Sequence, residues 1–144
     1  MKVESKDMIV KASGTRVSPT KMIVKCGDYE VITDKLGGEA PSPIEYVLAA
    51  LAGCINIVGT LVARELGISI EDIRINVEGV FDPAKFAKGT GERAGYKDIR
   101  VEVLVKSDAD AETLKKWLKL VEDRCPVGDN LVNMTPVKSE VRKI

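Results

Sequence analysis

The sequence predicts an α+β fold, in which antiparallel strands pack against two helices. Segments of alternating apolar and polar residues fill the first third of the chain and recur after residue 70. The stretch Pro43 to Leu66 has the composition of one long helix, and residues near Asp110 to Arg124 repeat apolar side chains at helical spacing. The 144 residues fit one domain, 1–144, because no linker, repeat or low-complexity tract divides them.

The first third of the chain is predicted to form strands. Met8 to Ala12 is a short apolar run, and residues 22–26 alternate between two faces. Gly27-Asp28 is typical of a hairpin turn, and it leads into a further strand over Tyr29 to Thr33. A polar, glycine-rich stretch from Asp34 to Glu39 separates these strands from the first helix.

The first helix has a strong start signal. Ser42 is suited to the N-cap, Pro43 to the first helical position, and Glu45 completes a capping box with Ser42. Gly67 is suited to end the helix after Leu66.

The same helix carries no charge over the 18 residues from Tyr46 to Ala63. That length meets the threshold for a membrane span. However, Asn56 and Thr60 interrupt the run, alanines lower its hydropathy, and both flanks lead into predicted sheet. We therefore interpret it as a helix that is buried on all sides within protein. One small sheet covers only one face, so a second subunit is expected to cover the other in an obligate homodimer.

The second half of the chain contains further predicted strands. Ile73, Ile75 and Val77 alternate with polar residues, and residues 99–105 repeat that alternation. Between them, the lysine- and glycine-rich segment from Phe81 to Gly95 is predicted to be a mobile loop or a hairpin excursion.

A second helix is predicted near Asp110 to Arg124. Its apolar stripe continues to Cys125, four residues past the last of the stripe residues Leu114, Trp117, Leu118 and Val121. Pro126 and Gly128 are expected to break this helix, and a last strand is expected near Val137 and Val141.

Composition excludes several classes of function. Lys+Arg and Asp+Glu both total 22 and aromatic residues make up 4%, so nucleic-acid binding is not expected. The chain has no histidine, which excludes Ser-His and Cys-His nucleophile pairs and His-ligated metals. We expect no cofactor, no metal and no membrane partner. Residues 1–13 lack signal-peptide features and the three cysteines form no C-x-x-C pair, so a cytoplasmic location is expected.

The three cysteines are the candidates for chemistry. Cys54 lies in the middle of the apolar helix and Cys125 closes the second stripe, so both could be small core residues. Alternatively they form a redox pair, which requires that the helices pack with the two Cα atoms within about 7 Å. A helix C-terminus is the wrong end to stabilise a Cys125 thiolate, although Arg124 could compensate. Cys26, in a predicted strand, is expected to be a buried, structural cysteine.

Two motifs resemble those of a known family. The segment Ala40-Pro41-Ser42-Pro43-Ile44-Glu45-Tyr46-Val47-Leu48-Ala49-Ala50-Leu51-Ala52-Gly53-Cys54 resembles the Pro-x-Glu-Leu-Leu-Leu-Ala-Ala-Leu-x-x-Cys helix of the OsmC/Ohr family. Those are the osmotically inducible and organic hydroperoxide resistance proteins. Arg124-Cys125-Pro126-Val127 resembles the family's Cys-Pro-Val or Cys-Pro-Tyr motif. The resemblance spans nearly the whole chain. Within the family, the chain is most similar to the general OsmC-like branch.

This resemblance implies an architecture and a chemistry. The architecture is an intertwined homodimer with curved antiparallel sheets around two long central helices per subunit, and with active sites at the subunit interface. Cys54 would be the peroxidatic thiolate that attacks an organic hydroperoxide, and Cys125 would condense with the resulting sulfenic acid to a disulfide. An external dithiol would reduce the pair.

The resemblance also implies an arginine and a glutamate that activate the thiolate. Arg16 is the N-terminal candidate for the arginine. Alignment on the helix-start proline and Cys54 places Ile44, not Glu45, at the glutamate position. Nine residues at about 100° each place Glu45 opposite Cys54 on the helix, so Glu45 fits a capping role better than a catalytic one. Glu39, just upstream, is a possible substitute.

The leading hypothesis is therefore a thiol-dependent hydroperoxide reductase. Two alternatives stay open: an OsmC-like binding or structural protein with little peroxidase activity, and a redox sensor that passes its oxidation to another protein.

Overall fold

A computed structural model of the protein describes residues 5–144. The predicted α+β class is confirmed, since the described chain has small antiparallel sheets, one long helix and shorter helices. Two compact units divide between Val47 and Leu48, and each is described by itself. The predicted domain 1–144 includes four N-terminal residues that lie outside the described residues, and its unity stays a prediction.

The first unit is built on a three-stranded antiparallel sheet in the order β1-β2-β3. The hairpin turn predicted at Gly27-Asp28 is confirmed, and Gly27 has a φ of 62°, a left-handed conformation that favours glycine. The strands are β1 (Ala12–Arg16), β2 (Met22–Cys26) and β3 (Tyr29–Thr33).

The first strand begins later than the sequence predicts. Met8, Ile9 and Val10 have exposed side chains and no strand structure, so the strand predicted over Met8 to Ala12 is wrong. The pairing explains the difference: Ala12 is opposite Cys26, where β2 ends at its turn. Residues before Ala12 therefore have no partner backbone on β2.

A buried carboxylate shapes the loop between the sheet and the first helix. Asp34 accepts hydrogen bonds from the backbone N–H groups of Lys35 at 2.8 Å and Glu39 at 2.9 Å, and its own N–H donates to the Pro41 carbonyl. The bonds from Glu39, Thr20 and Lys35 lower the pKa of Asp34 from 3.8 to about 2. This loop delivers the chain to the helix start.

The first helix, α1 (Pro43–Leu66), begins with the predicted capping box. The backbone N–H of Ser42 donates to Glu45 Oε2 at 2.7 Å, and Ser42 Oγ accepts from the Glu45 N–H at 3.3 Å. Gly67, with a φ of 68°, ends the helix as predicted.

The second unit contains a long antiparallel hairpin and three more helices. Its two strands bracket the predicted excursion, which contains a helix of five residues. The apolar residues of the hairpin that alternate toward the core are Ile73, Ile75, Val77, Ile99, Val103 and Val105. The elements are β4 (Ile70–Phe81), α2 (Ala84–Lys88), β5 (Tyr96–Ser107), α3 (Ala111–Arg124) and α4 (Pro126–Val132).

Helices α1 and α3 form the centre of this unit's core. The predicted stripe on α3 is confirmed, because Trp117 and Val121 are buried and Leu114 and Leu118 half-buried. Trp117 Nε1 donates to the Gly59 carbonyl on α1 at 2.9 Å. A Cβ on residue 59 would lie 2.8 Å from Trp117 Cζ2, so glycine is what allows this approach.

Only one face of α1 is buried within a single chain. Six residues of the helix are buried, whereas Ile57 on the opposite face is 64% exposed and Leu61 46%. α1 is long and apolar enough to cross a membrane, a property that it shares with core helices. Coverage of the second face by another subunit, and the cytoplasmic location, stay predictions.

The end of the chain differs from the sequence prediction. Pro126 does not simply break the second helix but occupies the first turn of α4. The last strand expected near Val137 and Val141 is wrong, because residues 134–144 have no regular secondary structure. Val137 and Val141 are exposed, and no strand within the described residues pairs with this segment.

Candidate functional site

Cys54 and Cys125 lie side by side in the second unit. Cys54 is in the middle of α1 and Cys125 directly follows α3. Cys54 packs against the buried cluster that contains Cys125, and it is close enough to affect the pKa of the Cys125 thiol. The residues packed around them include Leu51 of α1 and Val121 of α3. Both cysteines are free thiols. Helix packing thus brings together the two sulfurs that the sequence set 71 positions apart.

The two thiols differ in exposure and in ionisation. Cys125 is 1% exposed, whereas Cys54 is half-buried. Burial raises the pKa of the Cys125 thiol and its hydrogen bond to Cys54 raises it further, while the backbone N–H groups of Gly128 and Val127 lower it. The net effect raises the pKa, so Cys125 is held as a protonated thiol at neutral pH.

The backbone around Cys125 adds a helix start to the helix end that the sequence predicts there. α3 ends at Arg124, and Cys125 is extended, with φ −77° and ψ 111°. Cys125 is at the same time the N-cap of α4, and its Sγ accepts from the Gly128 N–H at 3.3 Å. The sulfur therefore faces the amides of a helix start as well as the end of α3. Sequence reasoning missed α4, although Pro126 at a first helical position was a signal for it.

Arg124 forms hydrogen bonds with Glu65, and a compensating effect on Cys125 stays a prediction. Its Nη1 donates to Glu65 Oε2 at 2.5 Å and its Nη2 to Glu65 Oε1 at 3.1 Å. Both bonds join the end of α3 to the end of α1. The guanidinium is therefore engaged by a carboxylate, and sequence reasoning had not considered Glu65 at all.

The other predicted site residues lie in the first unit, and each has a local partner. Arg16 Nε donates to the Ser18 carbonyl at 3.2 Å. Glu39 forms an ion pair with Lys21. Glu45 accepts from Ser42 in the capping box, and the Ser42 backbone N–H lowers its pKa. Their catalytic roles stay predictions.

Cys26 is not the buried cysteine that the sequence predicts. It lies at the exposed end of β2, opposite Tyr29, because the hairpin turn follows it directly. The expectation of a buried, structural role is therefore wrong on burial.

Two adjacent thiols of this kind can form a reversible disulfide. The half-buried sulfur can meet a small oxidant, and the buried, protonated sulfur is within reach for the second step. Cys54 lies within α1 and Cys125 directly after α3, so the pair depends on the packing of α1 against α3.

Comparison with known proteins finds a matching family model and solved structures of similar fold. Residues 36–140 match the family model described as OsmC-like protein. No curated protein matches the sequence. Solved structures match in fold, among them the OsmC-like protein of Mycoplasma pneumoniae, at a TM-score of 0.79 and 20% identity over 90% of this chain and 91% of that chain.

Two further matching structures carry functional names. An organic hydroperoxide resistance protein OsmC from Legionella pneumophila is 18% identical over 88% of this chain and 91% of that chain, with a TM-score of 0.67. The organic hydroperoxide resistance protein OhrB of Bacillus subtilis is 20% identical over 85% of this chain and 90% of that chain, with a TM-score of 0.57. At these identities the likeness is one of fold.

Proposed function

Because the chain belongs to the OsmC-like protein family, we propose that it is a thiol-dependent peroxidase that reduces organic hydroperoxides. The observation that carries the proposal is the packing of Cys54, on α1, against the buried cluster that contains Cys125, with Cys54 close enough to affect the pKa of the Cys125 thiol. The names of two structural relatives, both organic hydroperoxide resistance proteins, support the choice of substrate.

Exposure and ionisation support different roles for the two sulfurs. Cys54 is the half-buried thiol, so it is the one that a hydroperoxide reaches. Cys125 is buried, and its raised pKa keeps it protonated until it is needed. Cys54 is therefore the proposed peroxidatic residue and Cys125 the resolving one.

The proposed peroxidase cycle has three steps. The Cys54 thiolate attacks the distal peroxide oxygen, the O–O bond breaks, and the alkoxide leaves and takes up a proton as the alcohol, while Cys54 becomes a sulfenic acid. The Cys125 sulfur then attacks the Cys54 sulfur, forms the disulfide and releases water. An external dithiol reduces that disulfide by exchange and is itself oxidised to a disulfide.

A homodimer is the second part of the proposal. The exposed face of α1 carries apolar and small residues at helical spacing, namely Ala50, Gly53, Ile57 and Leu61. A second copy of the chain that packs on this face would bury it, as an apolar helix requires.

The activity test follows thiols and peroxide together. Fully reduced protein is mixed with cumene hydroperoxide without added reductant, and we expect two of its three thiols to disappear for each peroxide consumed. Cys54→Ser should lose the reaction. Cys125→Ser should retain the first step and accumulate a sulfenic acid that a dimedone probe traps.

Cys26→Ser is the matched control, because Cys26 lies in the other unit and is exposed. It should react like the unaltered protein. Peroxide loss at the full rate in Cys54→Ser would refute the proposal. If peroxide is not consumed but mixed disulfides with other proteins form on Cys54 in the Cys125→Ser variant, the redox-sensor alternative is favoured instead.

A further inference from the structure

The position of Cys125 depends on how the end of α3 is held. The helix stops at Arg124, and the chain turns through Cys125 in an extended conformation before α4 begins. Trp117 anchors α3 to α1 through its bond to Gly59, but this contact lies eight residues before Cys125. Burial of Val121 and Cys125 holds the end of the helix in the core, and a directional polar contact close to the sulfur would fix its orientation as well.

The ion pair between Arg124 and Glu65 lies at that point. Arg124 is the residue directly before Cys125, and Glu65 lies one residue before the end of α1. The two Nη groups bond to the two carboxylate oxygens, at 2.5 Å and 3.1 Å, so the pair is a fork that restricts orientation as well as distance. The hydrogen bond from Arg124 lowers the pKa of Glu65, which keeps both partners charged at neutral pH.

We propose that the Glu65–Arg124 ion pair positions Cys125 for disulfide formation with Cys54, by fixing the last turn of α3 on α1. The inference rests on the proposed function and assigns to that site a pair of positioning residues. Neither residue reacts: Arg124 is engaged by Glu65, and the reacting atoms are the two sulfurs.

The ion pair is exposed, so its effect on the position of Cys125 can be measured apart from its effect on global stability. The side chains of Arg124 and Glu65 are 40% and 58% exposed, so solvent and salt screen their attraction. Loss of the pair should therefore change global stability little. It should change the approach of the two sulfurs, on which disulfide formation depends steeply.

The readout is the effective molarity of the two thiols, measured from the equilibrium of the Cys54–Cys125 disulfide with reduced and oxidised glutathione. In Glu65→Gln we expect it to fall about threefold to tenfold, less than the roughly hundredfold that follows a 1 Å misplacement. The first step is measured separately, as sulfenic acid formation in a Cys125→Ser background. We expect Glu65→Gln to act on the second step alone.

Three comparisons test whether the effect comes from the two-bond ion pair between Arg124 and Glu65. Arg124→Lys keeps the charge without the fork and should give an intermediate loss. The charge-swapped variant Glu65→Arg with Arg124→Glu should recover most of the effective molarity. The matched control is Glu71→Gln, which removes another exposed ion pair of the same unit, Lys106–Glu71 at 3.0 Å, and should leave the effective molarity unchanged.

Salt supplies a readout that a purely structural role would not change. Raising the ionic strength should lower the effective molarity of the unaltered protein toward that of Glu65→Gln, and should affect that variant less. Equal effective molarities in the unaltered protein and Glu65→Gln, or no recovery in the charge swap, would overturn the proposal. The glutathione equilibrium needs no hydroperoxide. It therefore tests the positioning of Cys125 even if the protein shows no peroxidase activity.

Discussion

Replacement of Gly59 by alanine tests the packing that brings the two cysteines together. Residue 59 is buried on α1, and an added Cβ would lie 2.8 Å from Trp117 Cζ2. Carbon atoms in optimal contact are about 3.5–4.0 Å apart, so one partner must move by roughly 1 Å. Trp117 is 1% exposed and hydrogen-bonded to the Gly59 carbonyl, so a shift of the indole away from residue 59 would weaken that bond.

The expected cost combines opposing contributions. Overpacking of a core costs about 1–3 kcal/mol, and a weakened Trp117–Gly59 hydrogen bond adds about 0.5–1.5 kcal/mol. Against these, alanine favours a helix over glycine by about 1 kcal/mol. We therefore expect Gly59→Ala to lower the free energy of unfolding by about 2 kcal/mol, measured by urea denaturation at one fixed protein concentration.

A double-mutant cycle identifies the clash as the cause. Phenylalanine at 117 lacks the outer ring atoms of the indole, so Gly59→Ala should cost little in a Trp117→Phe background. The coupling free energy should then be about 1 kcal/mol or more. An equal cost of Gly59→Ala in both backgrounds would refute the reasoning, because it would place the strain elsewhere.

Three further predictions concern other parts of the molecule. Ser42→Ala removes the N-cap of α1 and should lower the free energy of unfolding by about 1 kcal/mol in urea titrations, whereas an unchanged midpoint would contradict the capping role. Asp34 has a pKa of about 2 in the folded protein against an ordinary 3.8. Its ionised form therefore stabilises the fold fully above pH 3.8, and this stabilisation is lost as the pH falls toward 2. Asp34→Asn should therefore flatten the acid side of the stability profile, and an unchanged slope below pH 4 would argue against it. Ile57→Lys places a charge on the exposed face of α1 and should shift the proposed dimer to monomer in size-exclusion chromatography with light scattering, whereas a variant with the same mass in solution as the unaltered protein would contradict an interface on this face.

Local signals predicted the elements whose causes lie within a few neighbouring residues. The Gly27-Asp28 hairpin, the Ser42–Glu45 capping box and the stop at Gly67 each depend on short-range backbone geometry, and all three are present. The stripe on α3 follows from helical periodicity in the same way. Predictions that required a partner strand, over Met8 to Ala12 and near Val137 and Val141, were wrong because periodicity does not say whether a partner is present.

The candidate site also divides into features that the local sequence predicts and features that depend on tertiary contacts. The sequence by itself was enough to make thiol chemistry the leading hypothesis, since there is no histidine and the two cysteine motifs resemble those of one family. Only the tertiary structure decided that Cys125 is buried, protonated and the N-cap of α4, and that Arg124 is engaged by Glu65. The physical reason is that ionisation and hydrogen bonding of a side chain depend on groups brought near by folding, and these lie 71 and 59 positions away along the chain.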